Sequence, residues 1–287
     1  MAKPTITIVG PGRLGKALAE ALANAGYRLD EIVFRDSGKQ KKSSRDDALK
    51  LARGLHAHGV ELGKAGFSAE VIWFCVGDSS IASVATAIAQ QREWKGKTVF
   101  HSSGALSSRE LSVLRRAGAH VASVHPLMTF VHGGAEATFE VPFALEGDAA
   151  ALRIARGIVR SLGGESIKIS AANKPLYHAF GAFLSPLIVA NLALAERIGI
   201  KAGVPRRLVR QAIAPILATT VFNYITLGAA GAFSGPLVRG DVNTVRKNLR
   251  ALRSVPGAED VYRALARSAL RALPAGNKKE LTKLLRR

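Results

Sequence analysis

The chain has 287 residues, 48% of them hydrophobic, a formal net charge of +20 and one cysteine, Cys75. That length suits two domains with ample cores, and a lone cysteine excludes an intrachain disulfide, which fits a reducing cytoplasm. The opening run from Met1 to Val9 is too short and too broken to read as a secretory signal.

Thr5-Ile6-Thr7-Ile8-Val9 reads as a short β-branched strand. Gly10-Pro11-Gly12-Arg13-Leu14-Gly15 follows at once, and Lys16 to Ala25 continues as an Ala/Leu-rich helix. Strand, spaced glycines and helix in that order form the phosphate turn of a dinucleotide-binding βαβ unit. Gly10 makes the tight turn, Gly12 lets the backbone approach a pyrophosphate, and Gly15 lets helix pack on strand. The free amides of the helix start, including those of Arg13 and Leu14, then hold the anion. Glu31 to Phe34 is the second strand. Its end, where an NAD site places an acid on the ribose, holds Arg35, followed by Asp36 and Ser37. A guanidinium and a hydroxyl suit a 2′-phosphate, so the expected cofactor is NADP(H), with Arg35 and Ser37 on the phosphate. The lysines around Lys41 and Lys42 read as a solvated loop.

Further along, Val71 to Val76 is a continuous apolar run, as a strand buried on both faces should be. A helix from Ile81 to Gln90 follows, then a strand at Thr98 to Phe100 and a helix from Arg109, with Ser107 and Glu110 placed as a capping box. Strands at His120 to Val124 and Phe143 to Leu145, a helix over Ala149 to Leu162 and a last strand at Ser166 to Ile169 complete the alternation. It predicts an α/β fold with a doubly wound parallel sheet over residues 1–170. After Ala171 strands stop, and helical patterns occupy Ala172–Ile198, Pro205–Thr220, Val242–Arg253, Glu259–Ala272 and Lys278–Leu285, an all-α domain over 171–287.

Ligands of open α/β sheets sit outside the carboxyl ends of the strands. Val76, Gly77, Asp78 and Ser102 stand at such ends and are expected along the cofactor, with Ser102, Ser103, Gly104 and His125 facing a substrate. Ser80 is a candidate helix cap. His101 and His125 fit a structural hydrogen-bonding role as well as substrate contact. At the head of the long helix, Asn173 is a candidate N-cap. Lys174, His178, Gly181 and Ser185 share one stripe, and Pro186 should kink the helix just beyond. A lysine in a first turn is disfavoured by the helix dipole, so Lys174 is read as a proton donor, with His178 orienting it and Ser185 near the substrate. Gln211 to Val238 carries no charge. Pro215, Asn223 and Tyr224 interrupt it, so it is read as a buried helix pair or subunit interface rather than a membrane span. Arg239 ends that stretch and could clamp a carboxylate; Asp241 is placed to cap the next helix.

Residues 171–287 hold 19 basic and 5 acidic side chains. Arg246, Arg250 and Arg253 lie opposite Val245, Leu249 and Leu252, on a solvated helix face. Tyr262 is the only aromatic after Phe233, so base stacking has little to work with and no nucleic-acid partner is expected. Neither is a metal.

His101-Ser102-Ser103-Gly104-Ala105-Leu106, Ser123-Val124-His125-Pro126-Leu127, the Lys174/Tyr177-His178 element and Gly235-Pro236-x-x-Arg239-Gly240-Asp241 together resemble a family of Rossmann-like NADP oxidoreductases. The C-terminal domain of that family is similar to that of 6-phosphogluconate dehydrogenase. Ketopantoate reductase, pyrroline-5-carboxylate reductase, β-hydroxyacid dehydrogenases and deazaflavin-dependent NADP reductases are relatives. In β-hydroxyacid dehydrogenases a helix lysine is the acid/base and an amide residue follows one turn later; Lys174 matches that lysine, and His178 stands in the amide's place. The family often has asparagine where this chain has Ser185. The resemblance implies a reductase that dimerises through its helical domain. The expectation is a cytoplasmic NADPH-dependent oxidoreductase acting on a small carbonyl acid, first a ketopantoate-like 2-oxo acid. An imine reductase and a non-catalytic NADP-binding sensor or scaffold are the alternatives.

Overall fold

The computed structural model describes residues 2–35, 42–131 and 139–286. Ser37 and Asp36 fall outside them. The chain divides into two compact units, Met1–Phe183 and Leu184–Arg287.

In the first unit the described residues form an eight-stranded sheet. Its strands are β1 (Ile6–Val9), β2 (Leu29–Phe34), β3 (His58–Glu61), β4 (Val71–Phe74), β5 (Thr98–His101), β6 (His120–Pro126), β7 (Pro142–Gly147) and β8 (Glu165–Lys168). Their order is β3-β2-β1-β4-β5-β6-β7-β8. The first six strands are parallel, five of them as the alternation of patterns predicts and β3 in addition, and the order reverses between β1 and β4. β7 departs from that expectation: it runs antiparallel to β6, and β8 then pairs parallel with β7. A parallel neighbour needs a crossover over one face, whereas here Leu127 N–H bonds Pro142 C=O at 2.8 Å and the chain returns beside its own strand.

Helices α1 (Arg13–Asn24), α2 (Lys42–Gly54), α3 (Asp78–Ala89), α4 (Ser112–Arg116) and α5 (Ala149–Ser161) cover the sheet. The period-2 alternation of β4 shows how both faces are filled. Val71 and Trp73 join Ile6, Ile8, Leu18, Leu22 and Ile158 on one face, and Ile72 and Phe74 join Val9, Ile81, Val84 and Trp94 on the other. α2 and β3 lack a strong sequence signal: α2 is mostly polar and buries Ala48, Leu51 and Ala52, and β3 reads His-Gly-Val-Glu. The segment from Ser108 is a 3₁₀ turn before α4, and Ser107 Oγ accepts from Arg109 N–H.

Helix α6 (Lys174–Leu184) ends at Ser185, whose φ of −132° and ψ of −83° break the helix before Pro186. The kink expected from proline is thus a full interruption. Its start is capped one step earlier than the sequence suggests: Ser170 Oγ accepts from Asn173 N–H, and Asn173 lies inside the 3₁₀ turn. The division between units falls at the end of α6 rather than after Ser170, because Lys174 and Tyr177 are buried with the sheet unit.

The second unit holds α7 (Pro186–Lys201), α8 (Arg206–Ala232), α9 (Pro236–Arg239), α10 (Val242–Leu252), α11 (Ala258–Ala272) and α12 (Lys278–Leu285). Val245, Leu249, Ala266, Leu270, Leu281 and Leu285 make its core. Asp241 caps α10 as expected, accepting from Thr244 N–H at 2.9 Å. α7 buries no residue and α8 only Val209.

Candidate functional site: the glycine turn and the crevice beside it

The turn after β1 is closed by Gly10 N–H to Val33 C=O at 2.9 Å and Gly12 N–H to Gly10 C=O at 2.8 Å. Gly10 has φ +92°, and a Cβ there would lie 2.7 Å from Val76 Cγ1; one on Gly15 would lie 2.2 Å from Gly10 O. Both positions therefore require glycine. Gly12 differs: a Cβ there would meet nothing within 4 Å. It is the N-cap of α1, no side chain caps the helix, and its first turn has no acid. An uncapped helix start beneath open space, at the point where strand order reverses, suits a phosphate anion. A cavity of about 550 Å³ adjoins it, lined by Pro11, Gly12, Arg13 and Lys16 on one side and Asp47, Lys50 and Leu51 on the other. Arg35 is exposed just past β2.

Past β4, Val76 packs against the Gly10 turn and Gly77 is the N-cap of α3; Ser80 lies inside that helix and is not its cap. Asp78, first residue of α3, accepts from Ser103 Oγ at 2.9 Å. Ser102 Oγ accepts from the Trp73 indole N–H at 2.8 Å. Ser103 is a hub of the loop: its Oγ also accepts from Leu106 N–H at 2.9 Å and Ala105 N–H at 3.2 Å. The hydroxyls of Ser102 and Ser103, expected on a substrate, thus hold the loop in shape.

His101 is wholly buried. Its Nδ1 accepts from Ser103 N–H at 3.1 Å, and its Nε2 faces Ser107 C=O at 3.0 Å. Those partners require the neutral ring with its proton on Nε2. Burial, with the nearby Lys174 charge, lowers its pKa to about 4. Of the two roles open to His101 in the sequence, the structural one is the one this geometry fills.

Lys174 is only 1% exposed. Its Nζ donates to Ser103 C=O and to Ser123 Oγ, each at 2.6 Å, and Ser123 Oγ donates to the same carbonyl at 3.1 Å. Burial lowers its pKa to about 8, opposed by the charges of Glu146 and Asp78. The ammonium so ties the head of α6 to β6 and to the loop after β5. His178 is exposed, and among the described residues no hydrogen bond joins it to Lys174. The expected lysine–histidine pair is therefore split: the Lys174 ammonium is buried in the sheet unit, and the His178 ring is exposed beside Gly104.

Tyr177 was part of the sequence motif but carried no role there. Its hydroxyl lies 3.0 Å from His125 Nδ1, and the two rings meet edge to face at 5.5 Å. Tyr177 is 9% exposed and burial pushes its pKa up to about 12. His125, half-buried at the end of β6, is lowered to about 4 by burial and by the nearby Lys174, His178 and His101. Its other nitrogen, Nε2, stands over Gly104, where a Cβ would come within 2.9 Å of both Nε2 and His178 Cδ2. Gly104 is thus the floor that lets two imidazoles close together. Tyr177 and Ser123 are what sequence reading left out; the signal available was Tyr177 three residues after Lys174, on the same helix face.

Ser185 and Arg239 belong to the second unit, Ser185 at the helix break and Arg239 exposed at the end of α9. No group of three or more His, Cys, Asp or Glu side chains suited to a metal occurs among the described residues.

Residues 1–126 match the model of a Rossmann-like domain and residues 141–269 that of a domain of unknown function, DUF2520. No curated protein matches the chain. Among solved structures, a protein of Bacteroides fragilis described as a candidate NADP oxidoreductase is 22% identical, with a TM-score of 0.74 over 93% of this chain and 97% of that one. A protein of Thermotoga maritima is 23% identical, with a TM-score of 0.71 over 98% and 100%. An imine reductase of Myxococcus stipitatus, in complex with NADP+, is 18% identical, with a TM-score of 0.64 over 99% and 100%. These likenesses are likenesses of fold.

Proposed function

Taking the chain as a Rossmann-like domain followed by a DUF2520 domain, we propose that it is an NADPH-dependent oxidoreductase that reduces the C=O or C=N bond of a small molecule. The observation that carries this reading is the glycine turn: two glycines that sterics demand, and a third, Gly12, left open above the uncapped start of α1. That cradle fits a pyrophosphate. Arg13 and Lys16 beside it, and Arg35 at the end of β2, supply positive charge for the 2′-phosphate. The bound nicotinamide would supply the hydride. Val76, Gly77 and Asp78 border the turn on the β4 side, and His125, Gly104 and Tyr177 form a polar corner at the ends of β5 and β6.

A small carbonyl acid, first a 2-oxo acid, is the substrate suggested by the sequence. The solved structures favour a second reading, an imine, since similar folds include imine reductases and a reductive aminase of Aspergillus terreus in complex with NADPH. The exposed apolar side chains of α7 and α8 support a homodimer formed through the helical unit. Residues 171–201 and 206–239 are each long and apolar enough to cross a membrane, with mean hydropathies of 1.6 and 1.5 over their most apolar 18 residues. Ser185 breaks the first and Gly228 the second, and backbone groups freed at such breaks are not satisfied by lipid, which supports a protein partner.

The test is NADPH oxidation followed at 340 nm against 2-oxo acids, semialdehydes and cyclic imines, with cofactor affinity measured separately by calorimetry. Turnover with one of these classes is the expected result. Absence of NADPH binding overturns the cofactor reading; binding with no turnover across the panel overturns the reductase.

A further inference from the structure

Lys174, the donor expected from the motif, has its ammonium buried and its bonds directed at protein atoms. A reductase of this build still needs a proton for the oxygen or nitrogen of the reduced bond. The group that meets that need must combine a titratable atom at the crevice with a second group able to refill it. His125 and Tyr177 are the pair so arranged. The Tyr177 hydroxyl lies 3.0 Å from Nδ1, on the buried side of the ring. Nε2 stands on the opposite side, over Gly104, where a Cβ would also meet His178 Cδ2. His125 is half-buried while Tyr177 is almost fully so, which leaves the imidazole as the member nearer solvent.

We propose that His125 is the proton donor of the reduction, giving the proton on Nε2, and that Tyr177 refills the ring through Nδ1. The proposal rests on the reductase reading above. In the step, hydride from NADPH adds to the carbon of C=O or C=N and its electron pair leaves a negative charge on oxygen or nitrogen. The Nε2–H bond breaks and the proton passes to that atom. At the same time the Tyr177 O–H bond breaks and its proton bonds Nδ1. The ring remains neutral throughout and the charge comes to rest on the phenolate, which then accepts a hydrogen bond from Nδ1–H. A water proton added at Nε2, with return of the Nδ1 proton to the phenolate, resets the pair. Burial keeps both partners uncharged beforehand: the imidazole is lowered to about 4 and the phenol raised to about 12. A positive imidazole would be the stronger acid, but Lys174, His178 and His101 all oppose that charge. A relay through a neutral ring avoids forming it. Lys174 is then a positioning residue, fixing through Ser103 and Ser123 the loop that carries Gly104.

The decisive variants are Tyr177→Phe, which keeps the ring packing and removes only the hydroxyl, and His125→Gln, which keeps a donor but cannot relay. With the substrate found in the NADPH screen, both should lower kcat on the order of 10²-fold, the usual contribution of a positioned acid. KM and NADPH affinity should stay within about threefold of the parent, the change allowed for packing alone. A solvent deuterium effect on the parent should fit two protons in flight and collapse to one in Tyr177→Phe. Independently of turnover, ¹⁵N NMR of the His125 ring should show the Nε2–H tautomer, and Tyr177→Phe should shift the Nδ1 resonance. Tyr177→Phe retaining more than a third of parental kcat overturns the relay and leaves the reductase standing. A His125 ring protonated on Nδ1 overturns it as well. A parent enzyme that binds NADPH but reduces nothing in the panel removes the reductase reading, and the relay with it.

Discussion

Strands β1 and β4 and helices α7 and α8 are built from the same kinds of side chain, yet they are buried to opposite degrees. Every residue of β1 and β4 is buried, whereas α7 buries none and α8 only Val209. Phe222 is 65% exposed and Ile225 is 74% exposed. A parallel sheet closes its two faces with its own crossover helices, so the first unit satisfies its apolar surface within one chain. A pair of long apolar helices has no such second layer, and monomers rarely leave so much apolar surface in water. The contrast teaches that the site-bearing unit is complete in the chain, while the helical unit calls for an outside partner, for which a second copy is our proposal.

The comparison can be broken from either side. The largest effect belongs to the sheet unit. Gly15→Ala places a Cβ 2.2 Å from a backbone oxygen, and overpacking of that kind should cost on the order of 3 kcal/mol in urea unfolding. Its counterpart, Gly12→Ala, meets nothing within 4 Å. It should unfold like the parent while NADPH affinity in calorimetry falls on the order of 100-fold, about 2.7 kcal/mol. Loss of stability in Gly12→Ala would show that the space over that glycine is filled in the folded protein.

On the helical side, Phe222→Glu with Ile225→Glu should weaken self-association by roughly 100-fold, again about 2.7 kcal/mol, read by sedimentation. NADPH affinity should be unchanged. A parent protein that is monomeric and soluble at micromolar concentration would remove the proposed second copy.

Acid should act on the sheet unit through its buried imidazoles. His101 and His125 fall from 6.5 to about 4, so the unfolded chain binds more protons between those values. Stability should be full above about pH 6.5 and decline as pH falls toward 4, by roughly 2 kcal/mol per histidine from pH 7 to pH 5. His101→Gln with His125→Gln should flatten that slope in urea unfolding at the two pH values; an unchanged slope would show that the rings titrate alike in the folded and unfolded chain.

The smallest effect is cofactor choice. NADPH should bind about tenfold tighter than NADH, near 1.4 kcal/mol, and Arg35→Asp should erase that preference. Equal dissociation constants in the parent would overturn recognition of the 2′-phosphate, and a preference that survives Arg35→Asp would assign the phosphate to other cations.

Much of this was legible in the residues. The glycine turn, five of the six parallel strands and the break before Pro186 rest on local rules: glycine where φ is positive, apolar runs where both faces are covered, proline where an amide is lost. The elements that escaped, α2 and β3, carry few apolar residues, and their place is set by neighbours: β3 by pairing with β2, α2 by packing Leu51 and Ala52 against the sheet. The antiparallel β7 escaped for the same reason, since strand direction depends on where the connection returns.

What sequence spacing determined about the site is which residues reach the strand ends: Ser102, Ser103, His125, Lys174 and Tyr177 are all in the motifs. What only tertiary structure decided is how each is used. Helical period places Lys174 and His178 on one stripe, but a long side chain turns toward whatever satisfies it, and Ser103 C=O and Ser123 Oγ, more than 50 residues away in the chain, satisfy the ammonium inside the sheet unit. Tyr177 meets His125 across a separation of 52 residues. Hydrogen bonds across such distances are closed by the fold as a whole, because the cost of leaving a buried polar group unpaired is settled in three dimensions.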